Sequence, residues 1–356
     1  MKKFIVTGGY GFIGSSFIRK LINNKNVQIL NIDNLTYAAN KKNLDIKKKN
    51  LFFKKIDINN FQKVSKIFKT FSPDYVINFA AESHVDRSID SPKNFFTTNV
   101  MGVFNLLEAS REYLNTISHK KRKNFRFLHI STDEVYGDLK KNEKPFSEKS
   151  PYKPSSPYAA SKASSDHLVK AWFRTFQVPI LITNCSNNFG PYQHPEKLIP
   201  HVIISAINGK KIPIYGNGKQ VRDWIHVDDH VDKIKEILFR GKIGNTYNIG
   251  ANNQLTNLYL VKKICRYLNK KINIKPKGIK NFLHLITFVS DRPGHDTRYA
   301  IDNSKIIKEF KFTKKFNFEE KIKNTINWYL ANKKWWQNII NKKKYKLKRI
   351  GLKRKV

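Results

Sequence analysis

The first half of the chain alternates short β-rich runs with helical patterns, and this alternation constrains the possible folds more than any other feature. Strands are predicted at residues 3–7, 27–32, 51–56, 75–79, 125–130 and 179–184, and helices at residues 12–23, 61–71, 93–115 and 157–176. Strands that alternate with helices in this way pair in parallel. The pattern therefore predicts an α/β protein with a Rossmann-type, doubly wound parallel sheet.

A glycine-rich turn joins the first predicted strand to the first predicted helix. Gly8, Gly11 and Gly14 have the spacing that lets backbone N–H groups approach a pyrophosphate. Asp33 ends the second predicted strand, where a carboxylate accepts hydrogen bonds from both ribose hydroxyls and repels a 2′-phosphate. The alternative is that Asp33 is an ordinary turn residue. We favour a cofactor role, and the pattern predicts NAD in preference to NADP.

The alternation stops after residue 184, where prolines and a glycine loop at 216–218 interrupt it. A further strand is predicted at residues 246–249 and a further helix at 257–268. We expect an NAD-binding domain at residues 1–184, with a returning segment at about 225–250. A smaller, mixed α/β substrate-binding domain is expected at 185–224 and 251–340, followed by a disordered basic tail at 341–356.

The chain is strongly basic, with 68 Lys and Arg against 27 Asp and Glu and a formal net charge of +41. Such a charge raises the possibility of a nucleic-acid partner. We interpret most of the excess as lysine on solvated helix surfaces, and nucleic acid is not the expected partner. Apolar runs are too short to span a bilayer and no signal peptide is evident, so no membrane partner is expected. With only two cysteines, Cys185 and Cys265, a cytoplasmic protein is predicted.

Tyr158 and Lys162 lie four residues apart in a predicted helix, with Ser156 as its cap and Pro157 at its first position. The two side chains share one helical face. A nearby ammonium stabilises a phenolate and lowers the tyrosine pKa, so Tyr158 is a candidate base for an alcohol under oxidation. The alternative is a pair of solvated surface residues.

Thr132, Asp133 and Glu134 directly follow the fifth predicted strand, at the sheet edge where active sites of open α/β folds lie. Because adjacent carboxylates repel each other, one can stay protonated as an acid while the other acts as a base. The alternative is a solvated acidic loop, but the chain has few acids and we favour catalysis. The His226 and His230 pair lacks an evident third ligand, so no metal site is predicted.

These motifs resemble those of the extended short-chain dehydrogenase/reductase family, and within it those of the dTDP-glucose 4,6-dehydratases. The resemblance runs from residue 1 to about residue 336. The segments that carry it are TGGYGFIG, NIDNLTYA, AAESHVDRSI, STDEVYGDL, SSPYAASKASSDHLVKAW, TNCSNNFGPYQHPEKLIP, PIYGNGKQVRDWIHVDDH and DRPGHDTRYAID. The Asp-Glu pair discriminates this group, because the related epimerases share the cofactor motifs but lack an acid/base pair there.

The resemblance implies an NAD-dependent hydro-lyase that yields dTDP-4-keto-6-deoxyglucose for deoxysugar and surface polysaccharide synthesis. Tyr158 would remove the C4 hydroxyl proton as hydride leaves C4, and Thr132 would hydrogen-bond the C4 oxygen. Glu134 would then remove the C5 proton while Asp133 protonates the departing C6 hydroxyl. Hydride returns to C6 and a proton to C5, and Lys162 would hold the nicotinamide ribose.

The resemblance also implies two sets of binding residues. The cofactor set comprises Gly8, Gly11, Phe12, Ile13, Gly14, Asp33, Asn34, Leu35, Thr36, Asp57, Ile58, Ala80, Ala81, Ser83, Thr98, Tyr158, Lys162 and Asn188. The substrate set comprises Ser83, Thr132, Asn187, Glu196, Lys197, Leu198, Pro213, Ile214, Tyr215, Arg222, Asn257, Asp291, Arg292, Pro293, Gly294, His295 and Tyr299. The two arginines in this set suit a diphosphate, which a guanidinium grips with two hydrogen bonds.

Two other functions stay open at this point. One is a UDP-sugar dehydratase, decarboxylase or epimerase of the same family, since the choice of nucleobase rests on resemblance alone. The other is a basic Rossmann-type binding protein without turnover. A homodimer is expected through the helix at 93–115 and the helix that contains Tyr158, with Phe95, Val103, Leu106 and Leu168 as candidate contact residues.

Overall fold

The structure is a computed structural model that describes residues 1–312 and 316–341. Its main sheet is parallel, with the strand order β10-β6-β5-β4-β1-β2-β3. The order reverses between β1 and β4, which is the switch point of a doubly wound sheet. The strands are β1 (Lys2–Thr7), β2 (Val27–Asp33), β3 (Leu51–Lys55), β4 (Tyr75–Asn78), β5 (Arg126–Thr132), β6 (Ile180–Cys185) and β10 (Thr246–Ile249).

Helices cover both faces of this sheet, which explains why its central strands are apolar along their whole length. Phe4 and Val6 on β1 pack into one core cluster, whereas Ile5 between them packs into a second cluster on the opposite face. The predicted Rossmann-type fold is therefore confirmed. The helices are α1 (Phe12–Leu21), α2 (Phe61–Phe71), α3 (Val85–Asp90), α4 (Pro92–Phe96), α5 (Gly102–Leu114), α6 (His119–Asn124), α7 (Pro157–Phe176), α8 (Leu198–Ile207), α9 (Val227–Arg240), α10 (Asn257–Lys271), α11 (Ser304–Phe310), α12 (Phe318–Ala331) and α13 (Lys333–Ile340).

The second half of the chain builds two small sheets and a core of its own. The sheets have the orders β11-β9-β7 and β12-β8. Their strands are β7 (Asn187–Phe189), β8 (Ile212–Tyr215), β9 (Val221–His226), β11 (Gln254–Thr256) and β12 (Ile286–Val289). A third core cluster joins residues of α8, α10, α12 and α13 to Phe189 and Trp224. By contrast, β10 and α9 return to the main sheet and its core.

Two predicted elements differ in detail from those observed. The helix expected at 93–115 is α4 and α5 joined by a π-helical turn at Thr97–Met101. The fifth strand extends two residues further than expected, so that Ser131 and Thr132 belong to β5. The predicted tail lies outside the described residues from residue 342 onward. Among the helices that the structure describes, none has the length and apolar character that a membrane span requires.

Candidate active site

The candidate catalytic residues meet at the carboxyl end of β5. Thr132 ends this strand and pairs in register with Cys185, which ends β6. The chain then makes a short 3₁₀ turn over Asp133–Tyr136. The Ser156 side chain accepts a hydrogen bond from Ala159 N at 3.1 Å and so caps α7 as predicted, with Pro157 at the first position. The sheet edge and this capped helix together enclose the site.

Asp133 and Glu134 are both raised in pKa above the ordinary range of a carboxyl by burial, but the charges around them differ. Burial raises the pKa of Asp133 well above its usual value, and the neighbouring charge of Glu134 raises it further. Burial also raises the pKa of Glu134, but the positive charges of Arg292, Arg222 and Lys197 oppose this rise. Asp133 is therefore the better proton donor of the pair and Glu134 the better base.

Each of these two carboxyl groups keeps one oxygen free for a ligand. Asp133 Oδ2 and Glu134 Oε2 are buried and have no hydrogen-bond partner among the described residues. Buried polar atoms are nearly always paired in a folded protein. Two unpaired acidic oxygens at one sheet edge are therefore available to bind a molecule or to exchange protons with it.

Tyr158 is buried on the first turn of α7, and a hydrogen bond with Thr132 links it to the end of β5. Its pKa differs from the expectation, because burial and the charge of Glu134 raise it well above the usual value. Lys162 lies one helical turn further along α7. Its Nζ donates to Ile130 O at 2.8 Å and lies 3.2 Å from His129 Nε2, so the ammonium faces β5. Burial lowers the pKa of Lys162 to about 8.

A cleft runs along the glycine turn and the ends of the first four strands. Ten of the predicted cofactor residues line it: Gly8, Gly11, Asp33, Asn34, Thr36, Asp57, Ile58, Ala80, Ala81 and Thr98. Six further lining residues were not predicted: Ile32, Ala38, Ala39, Ile56, Phe79 and Glu82. Ile56 and Phe79 end two predicted strands, so their position at the carboxyl edge of the sheet was a signal that could have identified them.

The cleft fits a dinucleotide in its backbone and in its charge. A Cβ at Gly8, where φ is +69°, would lie 2.7 Å from Ala80 N, so no side chain fits between the turn and β4. Asp33 ends β2 and accepts hydrogen bonds from Tyr10 N at 2.9 Å and Leu35 N at 2.8 Å. These bonds fix its carboxylate at the cleft wall. A bare backbone turn beside a fixed carboxylate is the arrangement that NAD needs.

Several predicted cofactor residues do not line the cleft itself. Phe12, Ile13 and Gly14 begin α1 directly behind the turn, and Leu35 donates its N–H to Asp33. Ser83 follows the lining residue Glu82. Asn188 does not line this cleft; its Nδ2 donates to Ser186 O at 2.9 Å, and its Oδ1 lies 2.9 Å from His230 Nδ1.

Several predicted substrate residues converge beside the acid pair. The buried Arg222 guanidinium lies 4.1 Å from the ring centroid of Tyr299 and donates to Asp296 O at 2.9 Å. Arg292 pairs with Asp86 at 3.0 Å, and its buried Nε has no partner among the described residues. The Lys197 ammonium donates to Ser83 O at 2.7 Å. These three cations come from distant parts of the chain, and the positive charge of each lowers the pKa of Glu134.

The remaining substrate residues form the wider surroundings. Tyr215 donates to Asp86 Oδ2 at 2.7 Å, and His295 Nδ1 lies 2.6 Å from Asp291 Oδ1. Glu196 accepts two hydrogen bonds from Arg87, each at 3.1 Å. Ile214 is 2% exposed and its side chain packs in the core. The others are Asn187 on β7, Leu198 and Asn257 at the starts of α8 and α10, Pro213 on β8, and Pro293 and Gly294 in the loop after β12.

Asp86 and Arg87 were not predicted as site residues, although they lie within the quoted AAESHVDRSI segment. Both begin α3 and pair with residues of the second half of the chain. His226 and His230 have structural partners: His226 Nδ1 accepts from Asp228 N at 3.2 Å, and His230 contacts Asn188. No group of three metal-ligating side chains was found in the described part of the chain.

Comparison with known proteins gives a consistent result. The family model described as GDP-mannose 4,6 dehydratase matches residues 5–325. The "dTDP-glucose 4,6-dehydratase" of Neisseria meningitidis serogroup B is 49% identical over 353 residues, covering 99% of each chain. The protein of the same name from Haemophilus influenzae is 50% identical, covering 93% of this chain and 99% of its own.

Solved structures of two dTDP-glucose 4,6-dehydratases and of a UDP-glucose 4-epimerase have folds closely similar to that of this chain. The dTDP-glucose 4,6-dehydratase of Bacillus anthracis, in complex with NAD, has a TM-score of 0.83 at 39% identity and covers 95% of this chain and 100% of its own. The Streptomyces venezuelae enzyme, with NAD and TYD bound, has a TM-score of 0.85 at 38% identity and covers 95% and 99%. A Thermus thermophilus UDP-glucose 4-epimerase in complex with NAD has a TM-score of 0.80 at 25% identity and covers 93% and 99%.

Proposed function

Because this chain belongs to the dTDP-glucose 4,6-dehydratase family of extended short-chain dehydrogenases/reductases, we propose that it removes water from dTDP-glucose across C5 and C6. The observation that carries this proposal is the buried acid pair at the end of β5, with one oxygen of each carboxyl free. An enzyme that only oxidises and reduces C4 needs the Tyr158 and Lys162 pair but no second acid and base.

NAD is the cofactor, and its residues are those that line the cleft beside β1, β2 and β4. The backbone of the Gly8 turn and the N-terminus of α1 hold the pyrophosphate, and Asp33 holds a ribose. Lys162 and Tyr158 would hold the nicotinamide end. When bound, NAD accepts a hydride from C4 of the sugar and returns it to C6.

In its phenolate form, Tyr158 takes the proton of the C4 hydroxyl. The Thr132 hydrogen bond lowers the pKa of Tyr158, against the larger effect of burial, which raises it. Thr132 is thus placed to share the C4 oxygen with the phenol. Lys162, one helical turn further along α7, is the cation on the same side of the helix. Its charge offsets the negative charge that develops as the proton leaves C4.

Glu134 and Asp133 carry the elimination. Glu134 takes the C5 proton, which the C4 ketone makes acidic, and the electron pair forms the double bond to C6 as the hydroxyl leaves. Asp133, whose raised pKa keeps it protonated, gives its proton to that hydroxyl, and water departs. Glu134 then returns its proton to C5 as hydride reaches C6. Tyr158 releases to solvent the proton that it took from C4, and a proton from solvent restores Asp133, so the overall change is the loss of one water.

Arg222 and Arg292 bind the diphosphate of the substrate. Both guanidinium groups are largely buried, and Arg292 retains an unpaired Nε. Bidentate pairing with phosphate oxygens satisfies such donors. We assign the nucleotide part of the substrate to the second half of the chain.

The proposed domain division follows the sequence-based expectation. The NAD-binding part comprises residues 1–184 and about 225–250, and the substrate-binding part comprises residues 185–224 and 251–340.

We further propose a homodimer, in which the partly buried Leu168 on α7 stays a candidate contact residue but three other expected residues do not. Phe95, Val103 and Leu106 are buried in the core of the protomer itself, because their positions on α4 and α5 face the main sheet and α7. The apolar residues exposed on these helices are Phe96, Met101 and Phe176. Phe104 and Trp172 stack edge to face between α5 and α7, with ring centroids 5.5 Å apart, and they continue this surface.

The proposed location is the cytoplasm, since both cysteines are free thiols and a reducing compartment suits them. The function is tested by incubating the purified protein separately with dTDP-glucose and with UDP-glucose. The expected result is a mass loss of one water and the alkali absorbance of a 4-keto-6-deoxy sugar with dTDP-glucose, and a much slower reaction with UDP-glucose. Conversion to a galactose isomer of unchanged mass would instead identify an epimerase.

A further inference from the structure

Lys162 is buried against β5, and both atoms that it contacts there are neutral. Its Nζ donates to Ile130 O at 2.8 Å and lies 3.2 Å from His129 Nε2. Burial lowers the pKa of His129 to about 4, so its imidazole is uncharged at neutral pH. An ammonium taken out of water needs a negative charge nearby if it is to stay protonated.

Asp166 provides a negative charge beside the same imidazole nitrogen that the Lys162 ammonium contacts. It lies one helical turn after Lys162 on α7 and is fully buried. Its Oδ1 lies 3.4 Å from His129 Nε2, while Oδ2 accepts hydroxyl hydrogen bonds from Ser131 and Tyr152, each at 2.9 Å. Burial by itself raises the pKa of Asp166, but hydrogen bonds and the charge of Lys162 lower it below its usual value. The carboxylate is therefore ionised.

The imidazole whose Nε2 lies beside both charges is held in place by polar side chains on neighbouring strands. Asn78 on β4 and Thr7 on β1 occupy paired positions in the sheet, and Asn78 pairs in register with His129 on β5. Thr7 Oγ1 donates to Asn78 Oδ1 at 2.6 Å, and Asn78 Nδ2 lies 3.2 Å from His129 Nδ1. These side-chain contacts hold the His129 ring in place. They thereby set the distance between the Lys162 ammonium and the Asp166 carboxylate.

We propose that Asp166 is a positioning residue of the dehydratase, supplying the buried negative charge that keeps the Lys162 ammonium protonated during catalysis. The inference rests on the proposed function for its effect on turnover, but the coupling between Asp166 and Lys162 does not. The titratable groups that act on Lys162 are Asp166 on the same helix, His129 on β5 and Cys185 at the end of β6. The charges of Asp133 and Glu134 raise the pKa values of Cys185 and Tyr158. Of the groups that act on Lys162, Asp166 has the largest effect in raising its pKa.

The first measurement is the pH dependence of turnover with dTDP-glucose for the full chain and for Asp166→Asn. Since activity needs the charged form of Lys162, it falls as pH rises through the pKa of this residue. In Asp166→Asn we expect this alkaline limb to move down by about one pH unit or more, with kcat recovering at lower pH and KM changing less than about threefold. Asp166→Glu should restore the limb, and Tyr152→Phe should leave it in place, because it removes a hydrogen bond but no charge.

The second measurement does not depend on activity. In protein labelled with ¹³C-lysine, the Lys162 side-chain resonance is identified by its loss in Lys162→Met, and its titration is followed by NMR without substrate. Its midpoint, about 8 in the native chain, should fall in Asp166→Asn. If Asp166→Asn does not fold, Asp166→Ser, which leaves room for water, carries the same expectation. An unmoved midpoint, or an equal loss of kcat at every pH, would overturn the proposal. If the native chain showed no turnover but the Lys162 midpoint still shifted in Asp166→Asn, the proposed function would be refuted. The coupling between Asp166 and Lys162 would still stand.

Discussion

Asp133 and Glu134 are adjacent in the chain, yet only Glu134 has three positive side chains opposing the rise of its pKa. Arg292, Arg222 and Lys197 all act on Glu134, whereas Arg222 is the cation that acts on Asp133 against burial and two acidic neighbours, Glu134 and Asp223. The environments therefore divide an acid and a base between two neighbouring carboxyl groups. This division is the basis of the first two predictions.

Glu134→Gln is expected to stop the reaction after oxidation at C4. An amide cannot take the C5 proton, so the absorbance of reduced nicotinamide should accumulate on the enzyme while turnover falls by about 10²–10⁴-fold. Stopped-flow absorbance and product mass measure both effects. Glu143→Gln, in an exposed loop, is the matched control and should retain turnover. In heavy water the native product should carry deuterium at C5, and full retention of the original C5 hydrogen would mean that the base is misassigned.

Asp133→Asn is expected to slow the departure of water and at the same time to stabilise the protein. The folded-state pKa of Asp133 is raised, so its stabilising contribution is fully present below the unfolded value of 3.8 and is lost as pH rises. At neutral pH the amide avoids this loss, and Tm should rise by about 2 °C or more. The gain should disappear near pH 4, as thermal unfolding at both pH values would measure. A lower Tm for the variant at neutral pH would contradict this assignment.

Gly8→Ala is expected to weaken NAD binding at least about tenfold. The added Cβ would lie 2.7 Å from Ala80 N, and φ of +69° is unfavourable for any other residue. Gly278→Ala is the control, because its φ is also positive, at +79°, but an added Cβ there meets no atom within 4 Å. The measurements are the NAD content of the purified protein and calorimetric titration with NAD. Equal NAD affinity in both variants would show that the turn does not hold the pyrophosphate.

Met101→Glu is expected to convert the proposed dimer into monomers. Met101 is 52% exposed in the π-helical turn between α4 and α5, and a buried carboxylate at an apolar interface is unfavourable. Ile274→Glu is the control, since this residue is 93% exposed and lies outside those helices. Light scattering at micromolar protein measures the mass. A native chain that is already monomeric would refute the dimer itself.

Features of the site that depend on local sequence were predictable from the sequence alone. The glycine turn, the cap of α7 and the acid pair after β5 each follow from residues that are close together in the chain. The parallel sheet followed as well, because the alternation of strands and helices leaves few other topologies. The carboxyl ends of the strands then had to meet, and ten predicted residues do line the cleft.

The tertiary structure decided everything that depends on distant residues or on burial. The sequence placed Lys162 and Tyr158 on one helical face, but the Lys162 ammonium binds β5 and leaves the Tyr158 pKa raised. It likewise placed apolar residues on α4 and α5 without indicating that Phe95 faces inward and Phe96 outward. The pKa of a group depends on desolvation and on charges brought close by folding, and neither is encoded in sequence spacing.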